Sequence, residues 1–129
     1  MKFLRSWSPP IAWMIVIFLF SGRESMQVSD TQLINFLFFK TLHVIEYAIL
    51  FILYVRAVGR RNITVAFLLT LLYAVTDEIH QLFVPTREGR TRDVIIDAIG
   101  ATLAWISINN LLPRAPRKLR DWAKSWEII

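Results

Sequence analysis

The chain contains no cysteine, which excludes disulfides and thiolate metal sites. Its four glycines in 129 residues form no phosphate-loop or dinucleotide pattern, and no serine sits in a nucleophile elbow. The two histidines do not have the tight spacing of a metal helix. A set drawn from His43, Glu46, Asp77, Glu78 and Asp93 is conceivable, but no metal and no cofactor is expected. Internal repeats and low-complexity tracts are also missing. Acidic residues are outnumbered by basic ones, ten to fifteen. The resulting charge of +5 does not point to nucleic acid, because the basic residues lie between apolar runs and not along one face.

The chain is rich in hydrocarbon. It is 55% hydrophobic, with a mean hydropathy of +0.46, whereas soluble domains are about 45–50% apolar with glycine counted in. Four apolar runs stand out, at Trp7–Phe20, Phe39–Val58, Ile63–Val84 and Val94–Leu112. The last three are near the roughly 20 residues a span needs; the first is shorter and is expected to extend past Ser21. Pro9 and Pro10 are read as the opening turn of the first run. Lys2 and Arg5 ahead of it resemble a signal peptide, but no small-x-small cleavage site follows, and an uncleaved span is favoured. Thr31–Phe39, after the candidate cap Asp30, reads as a re-entrant or interfacial turn. A soluble bundle would carry polar stripes, which Ala48–Val55 and Ile63–Tyr73 almost wholly lack.

The expected fold is therefore all-α: a polytopic integral membrane protein with four transmembrane helices in residues 1–113. Residues 114–129 form a basic tail in which Leu119, Trp122 and Trp126 alternate with Arg and Lys. It reads either as an amphipathic helix on the membrane surface or as a disordered tail. Trp7, Trp13 and Trp105, with these two, read as interface anchors.

Positive charge in short loops favours the cytoplasm. Lys2 and Arg5, then Arg56, Arg60 and Arg61, then Arg114, Arg117, Lys118, Arg120 and Lys124 fall on one side if there are four spans. The expected placement is a multi-pass protein of the cell inner membrane with both termini cytoplasmic. Every span then delivers its polar residues to the outer leaflet. Ser21 and Arg23 end the first. Lys40, His43 and Glu46 begin the second. Asp77, Glu78, His80 and Gln81 end the third, and Asp93 and Asp97 begin the fourth. Helical spacing puts His43 with Glu46 and Tyr47, Asp77 with Gln81, and Asp93 with Asp97. Below Asp97, Gly100, Ala101 and Ala104 offer a small-residue packing face. A polar pocket above an apolar inner half is the expectation.

The segments KTLHVIEY (Lys40–Tyr47), DEIHQLFVPTREGR (Asp77–Arg90) and DVIIDAIGA (Asp93–Ala101), with FSGRES from Phe20, resemble the VanZ-like family across nearly the whole chain. The sequence departs from the family's pattern at Asp97, where asparagine is frequent, at Thr86, where glycine is common, and after Ser21, where no proline closely follows. The resemblance implies a bacterial envelope protein and, through some members, a link to low-level teicoplanin resistance. It implies no reaction mechanism.

Ionisable groups at membrane depth often mark function. The candidate ligand-binding residues are Lys40, His43, Glu46, Asp77, Glu78, Gln81, Arg87, Asp93 and Asp97. Arg87 would clamp a phosphate or carboxylate. The leading expectation is binding or modulation of an envelope component, an envelope lipid or a glycopeptide. A second is an intramembrane enzyme acting on a lipid-linked or cell-wall precursor, with acid–base chemistry from His43, Glu46, Asp77, Glu78 or Asp93 and Ser21 as nucleophile. A third is a structural or partner subunit. Membrane lipids are the expected surroundings, and homo-oligomerisation is left open.

Overall fold

A computed structural model of the protein describes residues 2–23, 28–85 and 89–128. Four long helices carry the chain: α1 (Lys2–Ser21), α2 (Gln32–Val58), α3 (Ile63–Gln81) and α4 (Thr91–Ile106). The described residues contain no strand. Four helical stretches are long and apolar enough to cross a membrane, and Ile15, Leu68, Leu72 and Ile95, all more than half exposed, present the hydrocarbon surface that a bilayer would cover.

Two helix starts differ from the sequence reading. Thr31–Phe39 is no separate turn. Helix begins at Gln32 and runs unbroken to Val58, because the piece holds no proline or glycine. At 1.5 Å per residue α2 is about 40 Å long, beyond the roughly 30 Å of a hydrocarbon core. Asn35 fixes its start, accepting from the Val28 and Ser29 amides at 2.8 Å and donating to the Ser29 carbonyl at 2.6 Å. Likewise α1 begins at Lys2, so Pro9 and Pro10 lie inside it. Each removes one backbone donor, a loss that membrane helices tolerate better than soluble ones. The helix stops at Ser21 and does not extend further.

Helix α2 is the hub and packs on all three others. Its partners along α4 rise in step with it, Lys40 with Asp93, His43 with Asp97, and Phe51 with Trp105, so the two helices run parallel. Close approach is possible because Gly100 sits against the Val44 carbonyl, where a Cβ would collide. Ala101 and Ala104 continue that buried small face. Helices α1 and α3 form the other parallel pair, with Tyr73 donating to the Met14 carbonyl at 2.5 Å and Ser21 reaching Asp77. The core beneath the polar layer is aromatic and aliphatic. Phe51, Phe67 and Trp105 interlock at centroid distances of 5.2–6.2 Å.

Three tryptophans also pack between helices. Trp105 stacks on Phe51, Trp7 meets Tyr54 edge-on at 6.2 Å, and Trp13 donates its indole N–H to the Glu46 carbonyl at 2.9 Å. Each ring fills space between helices that small aliphatic residues would leave empty.

Past Ile106 the helix widens into a π-turn at Ser107–Leu111, then tightens at Leu112–Arg114. The tail is helical: α5 spans Arg117–Ser125. It ends in a Schellman motif. The Glu127 amide bonds to the Lys124 carbonyl and the Ile128 amide to the Ala123 carbonyl, both at 3.0 Å. Glu127 holds the left-handed turn at φ 58°, and Ala123 and Ile128 are buried together beneath it.

Candidate functional site

One end of the bundle is polar, and every helix contributes. Helix α1 supplies Ser21, α2 supplies Lys40, His43, Glu46 and Tyr47, α3 supplies Asp77, Glu78 and Gln81, and α4 supplies Asp93 and Asp97. Ser21, Asp77, Glu78, Gln81, Asp93 and Asp97 are all at least nine-tenths buried. Burial of this much polarity is costly unless it is paired, and most of it is.

Between α1 and α3, the Ser21 hydroxyl donates to Asp77 Oδ1 at 2.5 Å and the Gln81 amide donates to Asp77 Oδ2 at 3.0 Å. Between α2 and α4, the Lys40 ammonium lies 2.7 Å from Asp93 Oδ2, and His43 Nδ1 lies 3.2 Å from Asp97 Oδ1. The carboxylate that orients His43 is thus Asp97, from another helix. Glu46, three residues along, lines a cleft with His43. Glu78 Oε2 accepts from the Arg90 backbone N–H at 2.9 Å, which ties the start of α4 to α3. Gly89 permits that approach, since a Cβ there would strike the Glu78 carbonyl.

At the junction of the two parallel pairs lies Tyr47, wholly buried and flanked by His43 and Tyr73, with ring centroids 6.4 Å away in each case. Its hydroxyl is within electrostatic reach of Asp77, Glu78 and Asp97. Glu78 in turn feels Asp77, Asp93 and Asp97, so the four acids form one cluster. Among the described residues, the Tyr47 hydroxyl, Glu78 Oε1, Asp93 Oδ1 and Asp97 Oδ2 are buried with no hydrogen-bond partner. Buried polar atoms are nearly always bonded, and exceptions call for an explanation.

Lys40, His43, Ser21 and Gln81 engage the acids and draw the helices together. Among the described residues, a cleft of about 70 Å³ opens between α1 and α2, lined by Ser21, His43, Glu46 and the apolar Phe20, Phe39 and Leu42. That is room for about two waters at ~30 Å³ each, or for one small headgroup tip. Above the Lys40–Asp93 pair, the ring of Phe36 takes Arg92 at 5.1 Å and Lys40 at 5.9 Å on its face.

The structure thus brings together Lys40, His43, Glu46, Asp77, Glu78, Gln81, Asp93 and Asp97. Arg87 lies outside the described residues. His80 stands aside, stacked on Phe18 at 4.0 Å. Sequence reasoning puts Tyr47 on the His43 face without naming it a site residue, and leaves out Phe36. Tyr47 is signalled by its place one helical turn past His43. Phe36 has no signal of its own, because its role depends on helix reaching back to Gln32. No group of three or more potential metal ligands is assembled among the described residues.

The fold and this layer define a four-span helical membrane protein with a polar cluster at one end of its bundle. A family model described as VanZ/LLP1 matches residues 7–112, and the chain belongs to that VanZ-like family. No curated protein and no solved structure shows a significant match to it.

Proposed function

We propose that the protein is an inner-membrane envelope protein, with both termini cytoplasmic, whose polar end binds the headgroup of an envelope component. The orientation rests on the basic residues at the opposite end and between α2 and α3. The carrying observation is the set of oxygens without a hydrogen bond on Tyr47, Glu78, Asp93 and Asp97, the Asp93 oxygen having only the Arg92 guanidinium at 3.8 Å. A cluster that only locked helices together would be expected to satisfy its own members, because a half-satisfied network is worse than an apolar core. Three of the four are carboxylate oxygens and accept hydrogen bonds when ionised. The matching ligand group is a donor, such as an ammonium or hydroxyl carried by a lipid, a sugar or a glycopeptide.

The test is an isosteric panel of Glu46→Gln, Asp77→Asn, Glu78→Gln, Asp93→Asn and Asp97→Asn. Each variant is scored in one host for folded protein in the membrane and for teicoplanin susceptibility. Retained abundance with loss of phenotype supports a working site. Abundance falling in parallel with phenotype refutes it and leaves a structural role. A wild type without phenotype removes the resistance link, while the binding reading is then decided by lipid and glycopeptide binding to the same panel.

One observation favours an enzymatic reading. The Ser21 hydroxyl meets a carboxylate at 2.5 Å and shares a cleft with His43 and Glu46, the residue types of an acid–base site. That reading requires purified protein to change the mass of an envelope lipid, and Ser21→Ala to stop the change with the fold intact.

A further inference from the structure

We infer a second binding site at the opposite end of the bundle, for one acyl chain of an anionic phospholipid held beneath α5. The structure has a cavity of about 260 Å³ there, walled by Ile52, Ala104, Ile108, Leu111, Leu119 and Trp122 among others. Its size falls just below the roughly 300–1,000 Å³ of small-molecule pockets. Three features built by the chain create it. The π-turn at Ser107–Leu111 widens the end of α4 and turns Ile108 and Leu111 onto the space; such π-turns are rare and frequent at functional sites. Pro113 and Pro116 redirect the chain so that α5 crosses over it. The Schellman turn then presses Ile128 against the wall as a stop.

The occupant is set by two properties. The wall is almost purely apolar, so hydrocarbon fills it better than water or a polar solute. The surround is cationic. Arg56 lies over the Trp126 ring at 5.2 Å, Arg60 reaches Asn109 in the π-turn at 3.4 Å, and Arg117, Lys118, Arg120 and Lys124 ride on α5 itself. Helices with an apolar face and a basic face bind anionic lipid surfaces, and each basic group near such a surface strengthens the attraction. A chain in the cavity with its anionic headgroup among these residues uses both properties at once. The polar end of the bundle takes no part, so this inference is independent of the headgroup binding proposed above.

The experiment uses the full chain, purified and delipidated in mild detergent, with bound lipid counted by native mass spectrometry after adding phosphatidylglycerol or phosphatidylcholine. The expected result is one tightly retained phosphatidylglycerol per chain and weak retention of phosphatidylcholine. Ala115→Phe and Leu111→Phe fill the cavity from two walls, outside the packed helix faces, and each should cut phosphatidylglycerol retention about tenfold with helicity unchanged. The triple change Arg117→Gln, Lys118→Gln, Lys124→Gln should erode the anionic preference by about fivefold for each charge near the headgroup. Equal retention of the two lipids by wild type overturns the inference. So does wild-type retention of phosphatidylglycerol in whichever filling variant is folded.

Discussion

Gly100→Ala is the most direct probe of how the polar layer is held. A Cβ at Gly100 falls against the Val44 carbonyl oxygen, well inside contact distance, and lies 3.0 Å from the Val44 carbonyl carbon and 3.1 Å from its Cα. These are backbone atoms of a helix and cannot rotate away. A carbon–oxygen contact settles at about 3.3 Å or more, so α2 and α4 must part by about 1 Å. One turn above, His43 and Asp97 already sit at 3.2 Å, and that separation takes them past hydrogen-bond range. Overpacking costs about 1–3 kcal/mol, and the lost bond adds about 0.6–2 kcal/mol in a membrane. Better helix propensity returns at most about 1 kcal/mol. The net expectation is a loss of about 1–4 kcal/mol. Thermal unfolding of detergent-purified protein, followed by monodisperse size-exclusion signal, measures it. Ile99→Ala, half exposed one residue earlier, is the control. Equal melting of Gly100→Ala and wild type would refute the close α2–α4 approach and the register it imposes.

Lys40→Met leaves Asp93 only the Arg92 guanidinium, at 3.8 Å, and should cost about 1–3 kcal/mol; Lys40→Met with Asp93→Leu should recover most of that loss, and a melting-temperature cycle reads the coupling. Ser21→Ala removes the hydroxyl donor from Asp77 and should destabilise by about 1–3 kcal/mol, with Ser21→Thr closer to wild type in the same assay. Tyr73→Phe breaks the bond to the Met14 carbonyl, and a loss of about 0.6–2 kcal/mol is expected, seen as weaker protection of α1 amides from hydrogen exchange. Glu127→Gly relieves a left-handed residue, a conformation that costs about 1–2 kcal/mol with a side chain present, and should slow exchange of the Ala123 to Ile128 amides.

Much of this architecture is legible in the chain. Run lengths mark the spans, and the placement of Ser21, His43, Asp77 and Asp97 at alternate run ends brings them to one layer as soon as four helices are counted. The pairings were not legible. His43 has Glu46 in helical reach, yet its partner is Asp97, because the approach licensed by Gly100 brings α4 nearer to the ring than local spacing suggests. The start of α2 is not legible because Thr31–Phe39 is too short to span on its own and shows only as an extension of the apolar run beginning at Phe39. Pro9 and Pro10 look like a helix start to rules drawn from water-soluble proteins, whereas α1 continues through them. The π-turn at Ser107 leaves no trace in the pattern of apolar residues, since one extra residue per turn changes neither composition nor length noticeably.

The parallel pairing of α2 with α4 has a consequence for biogenesis. Lys40 is synthesised about fifty residues before Asp93, so the first helical hairpin enters the bilayer with that ammonium still lacking the Asp93 carboxylate. Lys40 sits near the head of α2, where its long side chain can keep its charge at the water interface until insertion is complete. The second hairpin then delivers the acids together with Gly100, the residue that lets them dock. The final fold is therefore reached only when the last span arrives.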